Sequence, residues 1–424
     1  GVIAITTNRG RNIEVGTTRF SFTTEIGFNE TFSSDGLPTH HFYKVDDEKN
    51  PTTYVDADGN PVGRDGRVED EFAPGILFMD NPYPTKIYDN LGTIFHPGNY
   101  TRQSFTMSSN AQNTNMAVSL SRQHDQGTLV NNDGYTLNAV RLNLDHRFRN
   151  TLSLGVSGYY SRDHRDNVKS SFSDMLSMPV DLDLSKKDEN GNYVRLPDPT
   201  IMLENPLWVE SSRESTRERD RTLGNAVLRW EPASFLSLMG SASFDRQHQR
   251  DWSYTPKGTP IISADATESD GEISLGNSVS DAWNAEAQAQ LRKDIGRLNA
   301  RMTFRGIWEG RRNESIGVDS ENFFVMGVPT VNATPDAETD GTSTQSEEAS
   351  VGLLWDTALD YGGKYIASIL LRRDGSSVFG PDNRWHNYYR VAAAWRLSEE
   401  PWFNIPHVSE FKLSYSRGTA GGRP

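Results

Sequence analysis

Residues 281–311 read DAWNAEAQAQLRKDIGRLNARMTFRGIWEGR, two alternating runs around Asp294-Ile295-Gly296. In the first, Ala285, Ala287, Ala289 and Leu291 alternate with Glu286, Gln288, Gln290 and Arg292. In the second, Ala300, Met302, Phe304 and Trp308 alternate with Asn299, Arg301, Thr303 and Arg305. Successive side chains of a strand point to opposite faces, so this is a hairpin with one apolar face and one polar, charged face. Ionised groups at strand centres are too costly for a dry core. The polar face needs water while the apolar face needs its absence, so the sheet must separate two media.

The pattern recurs along the chain. Strands are expected over Thr18–Glu30, Arg102–Ser109, Asn115–Arg122, Tyr135–Phe148, Thr151–Arg162, Arg221–Trp230 and Ser234–Gln247. The series continues through Asp281–Lys293, Arg297–Arg311, Glu347–Leu359, the two runs of the 361–403 hairpin, and Glu410–Ser416. In that hairpin Tyr365, Ala367, Ile369 and Leu371 share one face, as do Tyr389, Val391, Ala393 and Trp395. Short connections alternate with long ones, as in outer-membrane barrels, where periplasmic turns are short and extracellular loops long. The fold class is all-β: a partial antiparallel transmembrane β-barrel with long extracellular loops. It has about 13 strands, where the large transporters have about 22. Arg141, Asp145, Glu286, Arg301 and Arg305 fall on the lumen side. Trp230, Trp355, Tyr361, Tyr365 and Trp402, near short turns, are expected in the periplasmic aromatic girdle. Tyr160, Trp308 and Tyr389 are expected in the outer one.

Composition permits this fold and narrows the function. Mean hydropathy is −0.65, and no run nears the 18 apolar residues of a membrane helix. A barrel scores as low, because half of each strand faces a polar lumen. The net charge of −14 argues against nucleic acid as a partner. With no cysteine there is no disulfide framework and no thiol chemistry. No G-x-S-x-G, P-loop, G-x-G-x-x-G or H-E-x-x-H motif occurs, so no catalytic residue, cofactor or metal site is assigned. Asp56-Ala57-Asp58-Gly59-Asn60 opens like a calcium loop, but Arg67 stands where the twelfth-position Glu belongs. Asp188-Glu189-Asn190-Gly191-Asn192 is equally incomplete. Both are expected to close small hairpins within loops. His40-His41 is read as a loop dipeptide.

A family resemblance lies on three stretches. LRRDGSSVFGPDNRW (residues 371–385), followed by AAAWRLSEE (residues 392–400), resembles the barrel signature of the SusC/RagA-type TonB-dependent outer-membrane transporters. GVIAITTNRG (residues 1–10) resembles the closing strand of that family's plug domain, and LSYSRGTAGGRP (residues 413–424) resembles the strand and loop after the signature hairpin. The resemblance implies residues 1–10 as the last plug strand and residues 11–424 as the N-terminal part of the barrel, truncated at its C-terminus. Gly1 opens directly on a strand and Arg423-Pro424 falls in a loop, so an internal segment of a longer chain is expected. It also implies import of a large nutrient, an oligosaccharide or a peptide, across the outer membrane. The implied partners are a SusD-like surface lipoprotein, the TonB complex through an N-terminal part, and outer-membrane lipid.

Substrate-contact candidates are the aromatics placed in the long loops: Trp208, Trp252, Tyr254, Phe323 and Phe324. A flat ring can stack on a sugar or an apolar side chain; the competing role is packing loop against loop. Two other functions compete with import. One is a passive or enzymatic outer-membrane barrel; the other is a soluble all-β surface protein built from sandwiches. The sandwich predicts neither aromatic girdles nor alternating loop lengths.

Overall fold

The computed structural model describes residues 10, 13–30, 44–45, 54–55, 88–180, 182–197, 203–260 and 268–421. The expected plug strand at residues 1–10, apart from Gly10, lies outside them. So do His40-His41 and the 56–60 turn.

β1 (Thr17–Asn29) is followed by β2 (Lys44–Val45) and β3 (Tyr54–Val55), which pair only with each other. Then come β4 (Gly98–Asn110), β5 (Thr114–Asp125), β6 (Tyr135–Arg149), β7 (Leu152–Asp166), β8 (Glu214–Ala233) and β9 (Leu236–Thr255). The last six are β10 (Glu272–Ile295), β11 (Leu298–Glu321), β12 (Thr339–Tyr361), β13 (Tyr365–Ser376), β14 (Trp385–Arg396) and β15 (Lys412–Gly418). β1 and β4–β15 form one 13-stranded antiparallel sheet in chain order, with β1 and β15 at its two edges.

The register puts the two chemistries on opposite faces. Trp230, Leu238, Ala289, Phe304, Trp355, Leu371 and Tyr389 stand opposite one another from β8 to β14, all on one side. Phe304 and Trp355 stack with centroids 6.2 Å apart, and Tyr365 stacks on Trp395 at the same distance. This is the lipid belt. Tyr361, Tyr365, Trp395 and Trp402 ring its short-turn end. Trp355 departs from expectation: it lies mid-belt, six positions up β12 from Tyr361.

The strands outrun the sequence-based ends. β8–β12 reach 20 to 24 residues, whereas about 9 to 11 cross a bilayer. Residues 248–255, 272–280, 312–321 and 339–346 continue the ladder where loops are expected. Beyond the belt both faces meet water, so the one-sided apolar alternation disappears although the backbone pairing does not. The rhythm of connections breaks once: residues 397–411, on the short-turn side, form a longer connection between β14 and β15.

Hydrophobic cores lie in the extracellular connections. Ile94, Leu129, Met175, Met178, Leu182, Leu184 and Leu207 form one. It joins α1 (Asn90–Ile94), α2 (Phe172–Ser177) and α3 (Pro206–Ser212). Asn205 caps α3, accepting from the Leu207 N–H while its amide donates to the Leu184 and Val194 carbonyls, all with the side chain fully buried. The second core contains Tyr254, Ile273, Phe323 and Ala333.

Candidate functional site: the luminal wall and its rim

On the polar face, one register row crosses eight strands: Asn143, Ser157, Asn225, Ser243, Asn284, Glu309, Ser350 and Ser376. Strand parity places each of these beside an outward apolar neighbour, so the row follows from alternation plus register. Its members are short, and most can both donate and accept. Ser243 bonds the Asn284 amide oxygen at 2.9 Å, and the Ser350 hydroxyl donates to Glu309 Oε2 at 3.1 Å. The row floors a cavity of about 700 Å³, walled on the extracellular side by Arg141, Tyr159, Asp245, Arg311 and Glu348.

The five luminal charges expected from sequence all project from this face. Arg305 donates to Glu286 at 2.6 Å, and Arg141 lies 4.9 Å from the centroid of the Tyr159 ring. Higher on β8, three arginines at alternate positions each meet an aspartate on a flanking strand. Arg221 is bidentate to Asp245 at 3.0 and 2.7 Å, Arg219 meets Asp163 at 2.8 Å, and Arg217 meets Asp251 at 2.6 Å. These pairs tie β8 to β7 and β9 at this height. They hold residues of opposite sign in fixed geometry and leave polar neutral groups as the main lining of the cavity.

The five candidate aromatics are not brought together. Trp208 is buried in α3, under the Arg195 guanidinium at 6.0 Å. Trp252 and Tyr254 lie in β9, not in a loop. Tyr254 meets Phe323 edge-on at 5.7 Å, and both rings are buried. Phe324 is 65% exposed, beside Val325 and Met326. Sequence reasoning did not single out the Asn/Ser row, whose members carry no motif; only the strand register collects them. The 188–192 stretch closes a small hairpin as expected. Asp188 Oδ1 accepts the N–H groups of Asn190 and Asn192, each at 2.9 Å, with Gly191 at φ 85°. No group of three or more potential metal ligands occurs among the described residues.

No family model matches the chain. TonB-dependent receptor P26 of Formosa agariphila is 23% identical over 360 residues, covering 82% of this chain and 35% of that receptor. TonB-dependent receptor P3 of the same organism is 20% identical over 437 residues, covering 99% of this chain and 40% of the receptor. The chain thus spans well under half the length of these curated relatives. In structure it is similar to the RagAB peptide importer in its closed-closed state, with a TM-score of 0.70 and 17% identity over 97% of this chain and 48% of that one. The chain shares its barrel fold with RagAB and is similar in sequence to two TonB-dependent receptors. The RagAB open-open state superposes similarly, at a TM-score of 0.67 and 16% identity over 97% of this chain and 47% of that one. These two likenesses carry the barrel fold. Both curated relatives are named as receptors.

Proposed function

We propose that this chain forms part of the wall of an outer-membrane barrel that imports a large nutrient, an oligosaccharide or a peptide, with energy supplied through TonB. The observation that carries this reading is the wall's division into an apolar belt and a polar luminal row flooring a cavity. Two relatives named TonB-dependent receptors support the energy source, and the RagAB peptide importer supports peptide as one cargo class. A SusD-like surface lipoprotein is the proposed partner at the rim. Residues 1–10 are proposed to end the plug, and residues 11–424 to belong to the barrel. Of the candidate aromatics, Phe324 is the proposed cargo or partner contact, because its ring faces solvent; Trp208, Trp252, Tyr254 and Phe323 are proposed to position the loops that present it.

The test is uptake of labelled oligosaccharide and peptide pools by the source strain, with and without the gene for the full receptor. Uptake that needs both the receptor and TonB is expected, and Ser243→Leu with Asn284→Leu should lower it while the barrel still assembles. Uptake that persists without TonB would replace import with passive diffusion.

A further inference from the structure

The lipid-facing side carries a groove with a cation at one end. It has a volume of about 1110 Å³. Its floor follows one register row, Gly240, Ala287, Gly306, Leu353 and Arg373. Trp230, Phe304 and Trp355 wall it on the short-turn side, and Trp308 on the other. Arg373 is exposed, and its guanidinium stacks 4.9 Å from the Trp385 ring centroid, which leaves its N–H edges available.

Depth follows from the belt's outer edge. On β9 the apolar run ends at Phe244, and the next outward residue is Arg246; on β13 it ends at Leu371, and the next is Arg373. Arg373 therefore stands at the outer edge, as Arg246 does on β9, while Gly240, in the same row as Arg373, lies six residues inside Arg246, roughly 20 Å along the strand. The groove descends obliquely from headgroup depth into the hydrocarbon. Two other outward arginines at this edge meet carboxylates, Arg162 with Glu218 at 3.1 Å and Arg246 with Asp281 at 3.6 Å. Arg373 has no carboxylate partner among the described residues. Its cross-strand neighbours on this face are Leu353 and Asn387.

We infer that the outer face between β9 and β14 holds one anionic membrane lipid, its phosphate on Arg373 and Asn387 and an acyl chain in the groove towards Gly240. A guanidinium matches phosphate geometry, and the apolar groove below it matches a hydrocarbon tail. Charge complementarity at one end and apolarity along the rest thus select a phosphate-headed amphiphile over a protein segment or a neutral lipid.

The test is native mass spectrometry of the full receptor, released from detergent after equilibration with phosphatidylglycerol or phosphatidylcholine of equal chain length. Retention of phosphatidylglycerol in preference to phosphatidylcholine is expected. Arg373→Gln should weaken that retention about fivefold, the usual effect of one basic residue at a membrane surface. Arg122→Gln is the control, an outward arginine on β5 away from the groove. It should change nothing. Gly240→Phe puts a ring on the floor, at a position where a Cβ meets nothing within 4 Å; it should lower retention of both lipids. Heat-modifiable migration on a gel confirms that each variant is folded. Equal retention of both lipids by the unaltered receptor, or equal losses in the Arg373 and Arg122 variants, would overturn the inference.

Discussion

Replacing Phe323 by Ala should loosen the β11–β12 connection and leave the barrel intact. Phe323 is 1% exposed and packs edge-on against Tyr254 beside Ile273 and Ala333. Its backbone N–H bonds the Asp270 carbonyl at 2.8 Å, and Gly271 (φ 85°) has no Cβ because one would meet the Phe323 ring at 2.5 Å. The ring is thus the peg that holds residues 322–338 against the β9–β10 connection. Phe→Ala at a buried site costs about 3–5 kcal/mol. Applied to local opening, that is a rise in amide exchange of roughly a hundredfold or more across 322–338. Phe324→Ala, which removes a solvent-facing ring, should leave exchange there unchanged. Hydrogen exchange read by mass spectrometry on the full receptor separates the two. Equal effects from both substitutions, or no effect from Phe323→Ala, would refute the assignment of Phe323 to packing and Phe324 to contact.

Three further outcomes are expected. Ala287→Arg puts a charge near mid-belt on the lipid face and should destabilise the barrel by about 2–4 kcal/mol, whereas Gln288→Arg, one residue on, faces the lumen and should be tolerated; urea titration of the refolded receptor distinguishes them. Lys169, buried with its Nζ 2.8 Å from Asp166 and 3.7 Å from the fully buried Glu210, balances two carboxylates. Lys169→Met should cost about 3–5 kcal/mol in the 167–213 connection, with partial recovery in the Lys169→Met, Glu210→Gln double variant, read by limited proteolysis. Hydrogen bonds from Tyr365 Oη at 2.6 Å and Trp395 Nε1 at 3.1 Å, then Lys364, hold the Glu400 carboxyl below the ordinary carboxylate range. A lowered pKa in the folded state gives stability that is present above the ordinary value and lost as pH falls through the folded one. Protease nicking within 397–411 should therefore rise below about pH 4, and Glu400→Gln should abolish that pH dependence.

Alternation made the membrane-spanning half of the wall legible in the sequence. Ala285–Leu291 and Tyr365–Leu371 face lipid on one side and water on the other, so each residue's polarity reports its side. The same signal failed at residues 272–280 and 312–321, where β10 and β11 stand in water on both faces and Ser278, Ser280, Asn313 and Ser315 fit either side. It failed at Trp355 because nearness to a turn in sequence is not depth in a tilted strand. The candidate site was harder to see. Asn143, Asn225 and Asn284 are ordinary residues one by one, far apart in the chain, and become a row only through pairings that single-sequence periodicity does not fix. The aromatics drew attention by type, yet ring size serves a loop core as well as a ligand, and only burial tells Phe323 from Phe324.

The upper halves of β8–β12 constrain how such a barrel wall can diversify. Side chains alternate with a period of two, so inserting or deleting one residue in a paired strand turns every following residue to the wrong face. At the rim it would also pull Arg217, Arg219 and Arg221 out of step with their aspartates. On the import reading proposed above, new cargo preference at this mouth arises by substitution within the strands, position for position. Changes of length are confined to segments such as 167–213 and 322–338, where the ladder is interrupted and the small loop cores can repack.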